Sequence, residues 1–168
     1  MWRRSTPTPD PVGPGQESVW DYPRPPAVVG STEVVRVWQS GVLIAETGRA
    51  LRVLETAHAP AYYIPREDVR LEHLQPNQHS TVCEYKGRAA YADTVVGDRR
   101  VRNACWWYPD PAPGYEELRG AICFYPQRVQ RCEVDGEAVT PLPSPFYGDW
   151  PTSRIAGPYK GAPGTEGW

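Results

Sequence analysis

Thr81–Trp107 reads TVCEYKGRAAYADTVVGDRRVRNACWW, and this stretch decides the fold class. Thr81 to Tyr85, Ala89 to Val96 and Arg99 to Trp107 are rich in β-branched and aromatic residues, which suit a pleated, half-buried surface. Lys86-Gly87 and Gly97-Asp98 supply the turns between them. The segment is a meander of strands.

The flanks extend the same pattern. Val34 to Trp38 and Val42 to Ala45 are apolar and β-branched, and Ser40-Gly41 between them makes a hairpin. Arg49 to Thr56 has apolar residues at 50, 51, 53 and 54, compatible with a short helix or a buried strand. Ala59 to Pro65 is extended, because residues before proline avoid the helical region. Pro65-Arg66-Glu67-Asp68 fits one helical turn, with proline first and acids near the positive end. Downstream, Pro109 to Pro113 breaks the pattern and Tyr115 to Leu118 fits another turn. Ala121 to Tyr125 and Arg128 to Val134 read as two strands, and Asp135-Gly136 is a strong hairpin turn leading to Ala138–Thr140. The expectation is a mainly β fold: a single compact domain of antiparallel strands, a few short helical turns, and a tail rich in Pro, Gly and aromatic residues.

Composition sets the boundaries. At 168 residues the chain suits one domain, long enough to bury about 70% of its unfolded surface. Residues 1–16, crowded with Pro and Gly, read as a flexible lead-in. Residues 17–140 form the β domain, opening on an anchoring strip, Glu17 to Pro26, whose Trp20 and Tyr22 pack down on it. Residues 141–168 carry Phe146, Tyr147, Trp150, Tyr159 and Trp168 and are expected to wrap the domain or a partner chain, which makes a homodimer one expectation. With a net charge of -2 and the two signs interspersed, attraction to nucleic acid or to an anionic membrane is not implied. No stretch approaches the roughly 18 apolar residues of a membrane helix, and no signal segment is visible. The reading is a cytoplasmic protein with reduced Cys83, Cys105, Cys123 and Cys132. None of the cysteines is in C-x-x-C spacing. His79 and Cys83 are half a metal site at most, so neither metal nor cofactor is expected. The 7 Trp and 10 Tyr far outnumber 2 Phe and 1 Met, favouring rings that keep a polar handle when buried.

Four blocks set charge inside aromatic or apolar runs: ALRVLE (50–55), YYIPREDV (62–69), CEYKG (83–87) and ACWWYPDP (104–111). That mixture points to a partly buried polar site walled by rings, the makeup of a small-molecule pocket. Tyr62, Tyr63, Tyr85, Trp106 and Tyr108 would line it, with 106 and 108 on one face of their strand and 107 on the other. Arg52, Arg66 and Lys86 would fix an anionic or cyclic ligand. Arg52 and Glu55 would pair if their segment were helical, leaving only a structural ion pair. Whether the protein is an enzyme stays open. An enzyme reading makes Cys83 the nucleophile with His58 or His79 as base, or Glu55 a general base, with Lys86 or Arg66 as electrophilic stabiliser. Cys105, Cys123 and Cys132 read as core. A third reading is a homo-oligomeric scaffold built on the aromatic strip and tail.

ESVWDYPRPP, RALRVLET, YYIPREDV, CEYKG, the WYPDP run and AICFYPQRV, in this order, resemble the domain of unknown function 427 family. The tail FYGDWPTSRIAGPYKGAPGTEGW is similar to that of its actinobacterial-type members, so the likeness spans 17–168. The resemblance implies a mainly β architecture related to the β-tent group. That group usually holds zinc on two C-x-x-C pairs, and this chain has none, so packing would replace the metal. A nucleotidyltransferase-like label attached to the family finds no phosphate cradle or paired magnesium-binding acids here.

Overall fold

The structure, a computed structural model, describes residues 6–168. The first five residues of the expected lead-in lie outside the described residues. The strands are β1 (Glu17–Ser18), β2 (Ala27–Gly30), β3 (Val35–Gln39), β4 (Val42–Thr47), β5 (Leu51–Leu54), β6 (Ala61–Tyr63) and β7 (Leu74–Cys83), then β8 (Gly87–Val96), β9 (Arg99–Trp107), β10 (Cys123–Phe124), β11 (Arg131–Val134), β12 (Glu137–Ala138) and β13 (Ile155–Ala156). Helical structure among the described residues is limited to three-residue 3₁₀ turns, at Val19–Asp21, Arg66–Asp68, Leu71–His73 and Glu116–Leu118. The fold is mainly β.

Three antiparallel sheets, ordered β10-β9-β8-β7, β12-β11-β3-β4 and β2-β5-β6, are joined by a short parallel pair of β1 with β13. The meander of 81–107 is the β7-β8-β9 ladder. The hairpin β3-β4 turns at Ser40 and Gly41, and β11-β12 at Asp135 and Gly136. All four residues have positive φ, the twist that two-residue hairpin turns need. In β3, Val35, Val37 and Gln39 point inward and alternate with outer residues. Their sheet closes on Ile44, Ile64, Ile122 and Phe124 to form the main core. Ile64 and Ile122 exchange two backbone bonds of 2.8 Å, which ties the β6 sheet to the β10 sheet.

Several boundaries move for physical reasons. Arg49–Thr56 resolves as strand β5, paired with β2 on one side and β6 on the other. β2 itself was not anticipated, because Ala27–Gly30 follows a proline run. β7 begins at Leu74 rather than near Thr81. It is the edge of its sheet, where Pro76 is tolerated, and its register breaks between Pro76 and Ser80. The expected strand 121–125 shrinks to Cys123–Phe124. Segment 128–130 is a turn whose Arg128 and Val129 amides both return to Tyr125 O, so the next strand starts at Arg131.

The two ends of the chain run together. Asp10 N donates to Gly157 O at 2.8 Å, and Glu17 N to Arg154 O at 2.9 Å. Trp20 donates from Nε1 to Pro158 O at 3.1 Å and meets Trp168 edge-on. The tail then enters the core: Trp150 is fully buried, donates from Nε1 to Phe124 O at 3.0 Å and lies against Tyr62.

Candidate functional site

Strand parity builds the site. In β5 and β6, Val53, Ala61 and Tyr63 face one way, and Arg52 and Tyr62 the other. The odd-numbered face joins Ala89 and Tyr91 of β8, Trp106 of β9, Tyr108 and Tyr125 in a second apolar cluster. This cluster is the floor of a hollow of about 350 Å³, within the range of small-molecule sites. Trp107 points instead into the main core, as the alternation at 106–108 requires.

Three further segments wall the hollow. The turn Glu84–Lys86 ends β7 and brings Cys83, Tyr85 and Lys86 to its edge. Gly87 sets that turn: its φ is +107°, and an added Cβ would stand 3.2 Å from Ala112 N. Ala112 N in turn donates to Lys86 O at 2.9 Å. The loop after β5 supplies Glu55 and His58. It closes with His58 N donating to Glu55 O at 3.0 Å, and it holds Ala57 at a φ of 76°, a conformation that non-glycine residues seldom adopt. The tail supplies Tyr147, Gly148, Asp149 and Lys160. Gly148 lies flat on the rings, where a Cβ would come within 2.6 Å of Trp106 and 2.8 Å of Tyr125. No side chain fits there without lifting the tail away.

The rings carry their hydroxyls inward. Trp106 Nε1 donates to the Tyr63 hydroxyl at 3.2 Å, and the Tyr91 hydroxyl lies 2.9 Å from Thr81 Oγ1 and 3.5 Å from the Tyr125 hydroxyl. Burial pushes the Tyr63, Tyr108 and Tyr125 phenols well above the usual tyrosine range, so the floor stays neutral. The walls of the hollow carry charge. His58 Nδ1 lies 3.2 Å from Asp149 Oδ2. A carboxylate only accepts, so Nδ1 carries the proton and donates. His58 Nε2 faces Glu55 Oε2 across 3.9 Å, beyond hydrogen-bond reach. Lys160 Nζ donates to Trp168 O at 3.2 Å and sits over the Tyr147 ring.

The structure brings together Tyr63, Tyr85, Trp106, Tyr108, Cys83, Glu55 and Lys86 at this hollow. Arg52, Tyr62 and Arg66 do not join them. Arg52 and Tyr62 lie on the reverse face of the sheet, in a smaller hollow of about 200 Å³. Arg52 bonds Glu17 through Nη1 and Nη2 at 3.2 and 2.7 Å, not Glu55, since a strand sends residues three apart to opposite faces. Arg66 packs over Trp107, 4.9 Å from a ring centroid, and donates to Gly120 O. Of the three expected cations only Lys86 reaches the hollow, whose lining also includes Glu55, Glu84 and Asp149. A uniformly cationic pocket is therefore replaced by one of mixed sign.

Among the described residues no hydrogen bond joins Cys83 to a histidine, and His79 packs its ring on Tyr91. Cys105, Cys123 and Cys132 are buried, and burial drives the Cys123 and Cys132 thiols well up and the Cys105 thiol to about 12. No three His, Cys, Asp or Glu side chains among the described residues are grouped to hold a metal ion. Sequence reading missed His58 as a member of the charged walls and missed Tyr91, Tyr125, Tyr147, Asp149 and Lys160 altogether. For Tyr91 the signal was present: it has the parity of Ala89, and it pairs directly with Trp106.

A family model described as domain of unknown function (DUF427) matches residues 27–135. No curated protein matches the chain. The matched span supplies the floor and two walls of the hollow, and the tail that closes it lies outside that span. The chain belongs to the DUF427 family.

Proposed function

We propose that this protein binds a small ring-containing molecule in the hollow over Trp106. The observation that supports the reading is the hollow itself: about 350 Å³ over a neutral aromatic floor, with charged groups on its walls. Neutral rings favour stacking on a flat apolar body, and the charged walls fix its orientation. Recognition needs only the residues already in place. An enzymatic role for Cys83 has less support, because no hydrogen bond joins its thiol to a base among the described residues.

Cys83 offers the test. It is the one cysteine that is not buried, and it lines the hollow. A bulky maleimide should label it selectively and plug the site. A thermal-shift screen of ring-containing metabolites should find ligands that raise the melting temperature of the unlabelled protein and lose their effect on the labelled one. Ligands that stabilise both forms equally would place binding elsewhere and defeat the reading.

A further inference from the structure

β7 is the open edge of its sheet, and its two halves are finished differently. An antiparallel ladder turns alternate N–H and C=O groups outward along such an edge. They can template another strand unless charge, proline or a bulge blunts them. The first half of β7 is blunted by Pro76 and by the register break between Pro76 and Ser80. The second half, from Ser80 to Cys83, has neither, and no Asp, Glu, Lys or Arg lies anywhere in Leu74–Cys83. Val82 stands there 71% exposed.

Parity separates this edge from the floor of the hollow. Cys83 packs against the second apolar cluster, and Thr81 Oγ1 lies 2.9 Å from the Tyr91 hydroxyl. Ser80, Val82 and Glu84 have the opposite parity. They share the outer face with Arg88, which pairs with Val82 in the ladder and donates to Ser80 Oγ at 3.2 Å. Arg88 and Glu84 are both exposed, and neither forms an ion pair among the described residues. Lay a second copy antiparallel on this edge, with the two-fold axis at Val82. Each Val82 then meets its twin, and Ser80 stands opposite the partner's Glu84. Directly opposed residues hold their Cβ atoms about 5 Å apart. The partner's Glu84 carboxylate therefore comes within reach of the Arg88 guanidinium already held over Ser80, and symmetry makes that contact twice.

We infer that residues 80–84 form a self-association edge, on which a second copy of this chain adds as an antiparallel strand, flanked by two Arg88–Glu84 ion pairs. A second copy fits this edge because the strand itself carries no charge to repel its twin, and the charges beside it are complementary in this register. The tail takes no part: it is spent on its own chain through Trp150 and Trp168.

Sedimentation velocity on the full chain, from about 1 µM to about 1 mM, tests it. The wild type should pass from monomer to dimer across that range. Arg88→Glu and Glu84→Arg, each alone, bring like charges together and should weaken the dimer by about tenfold or more. An equimolar mixture of the two variants restores opposite charges at both contacts and should recover the dimer. A wild type that stays monomeric at about 1 mM, or a dimer indifferent to both reversals, overturns the inference. So does a mixture that associates no better than either variant alone. The wild-type concentration series stands even if a variant misfolds.

Discussion

The two faces of the β2-β5-β6 sheet are built from alternate residues of the same strands, yet they treat charge in opposite ways. On the even-numbered face the charged groups pair with one another, although Arg52 Nε, 3.9 Å from Glu33, makes no hydrogen bond. Arg52 bonds Glu17, the Tyr22 hydroxyl donates to Glu17 at 2.5 Å, the Tyr62 hydroxyl donates to Glu33 at 2.8 Å, and Arg154 reaches Glu33 and Asp135. These bonds fasten the N-terminal strip and the tail onto the sheet. On the odd-numbered face, the Glu55 carboxylate makes no hydrogen bond among the described residues and stands 3.9 Å from His58 Nε2 and 4.0 Å from Arg24 Nε, beside a hollow large enough for a ligand. Charge that is paired where it lies is explained by folding. Charge held at a cavity wall by long contacts alone is left available to a ligand, as the proposed function requires.

Four changes probe that contrast, from the largest effect down. Trp150→Ala should break both faces at once, because the ring packs on Tyr62 from the core side and anchors the tail that closes the hollow. A cost of about 3–5 kcal/mol is expected from chemical denaturation. Arg52→Met attacks the paired face alone. It should cost about 1.5–3 kcal/mol by the same measurement and leave ligand affinity unaltered, whereas weakened binding would mean the two faces are coupled.

The paired face also has a pH signature. The Arg52 guanidinium holds the Glu17 carboxyl below its usual range, with burial opposing and the Tyr22 hydroxyl assisting. A carboxyl lowered in the folded state contributes stability above its unfolded pKa and loses it as pH falls through the folded value. The stability gap between wild type and Arg52→Met should therefore be widest near neutrality and narrow below about pH 4.

Gly148→Ala attacks the open face by overpacking. A methyl group driven against Trp106 should cost about 1–3 kcal/mol and lift the tail, so ligand affinity should fall along with stability. Glu55→Gln should change stability by no more than about 0.5 kcal/mol, since the Glu55 carboxylate makes no hydrogen bond among the described residues and its ion pair with half-exposed Arg24 spans 4.0 Å. A larger destabilisation would reveal a structural role and narrow the contrast between the faces.

Period-two alternation made much of this legible in the sequence. It placed the 81–107 meander, both hairpins and the division of Trp106 and Tyr108 from Trp107. It could not place Arg52, because apolar residues at 50, 51, 53 and 54 satisfy helix and strand alike, and only β5 parity sends Arg52 away from Glu55. Arg66 was misleading for a different reason: a residue in a 3₁₀ turn has no face until its neighbours are known. His58 and Asp149 are 91 residues apart, on loops without a period, so their bond leaves no local trace. Gly148 is one glycine among many in a Pro- and Gly-rich tail, and its need for bare backbone appears only once Trp106 lies beneath it.

The central claim is that the hollow over Trp106 is a ligand site. Crystals of the protein soaked with a library of small ring fragments test it most directly. The account predicts density for fragments between Tyr85 and Trp106, with their polar groups turned toward Glu55 and His58. Fragments that gather only at other surfaces, with this hollow holding nothing but water, would contradict it.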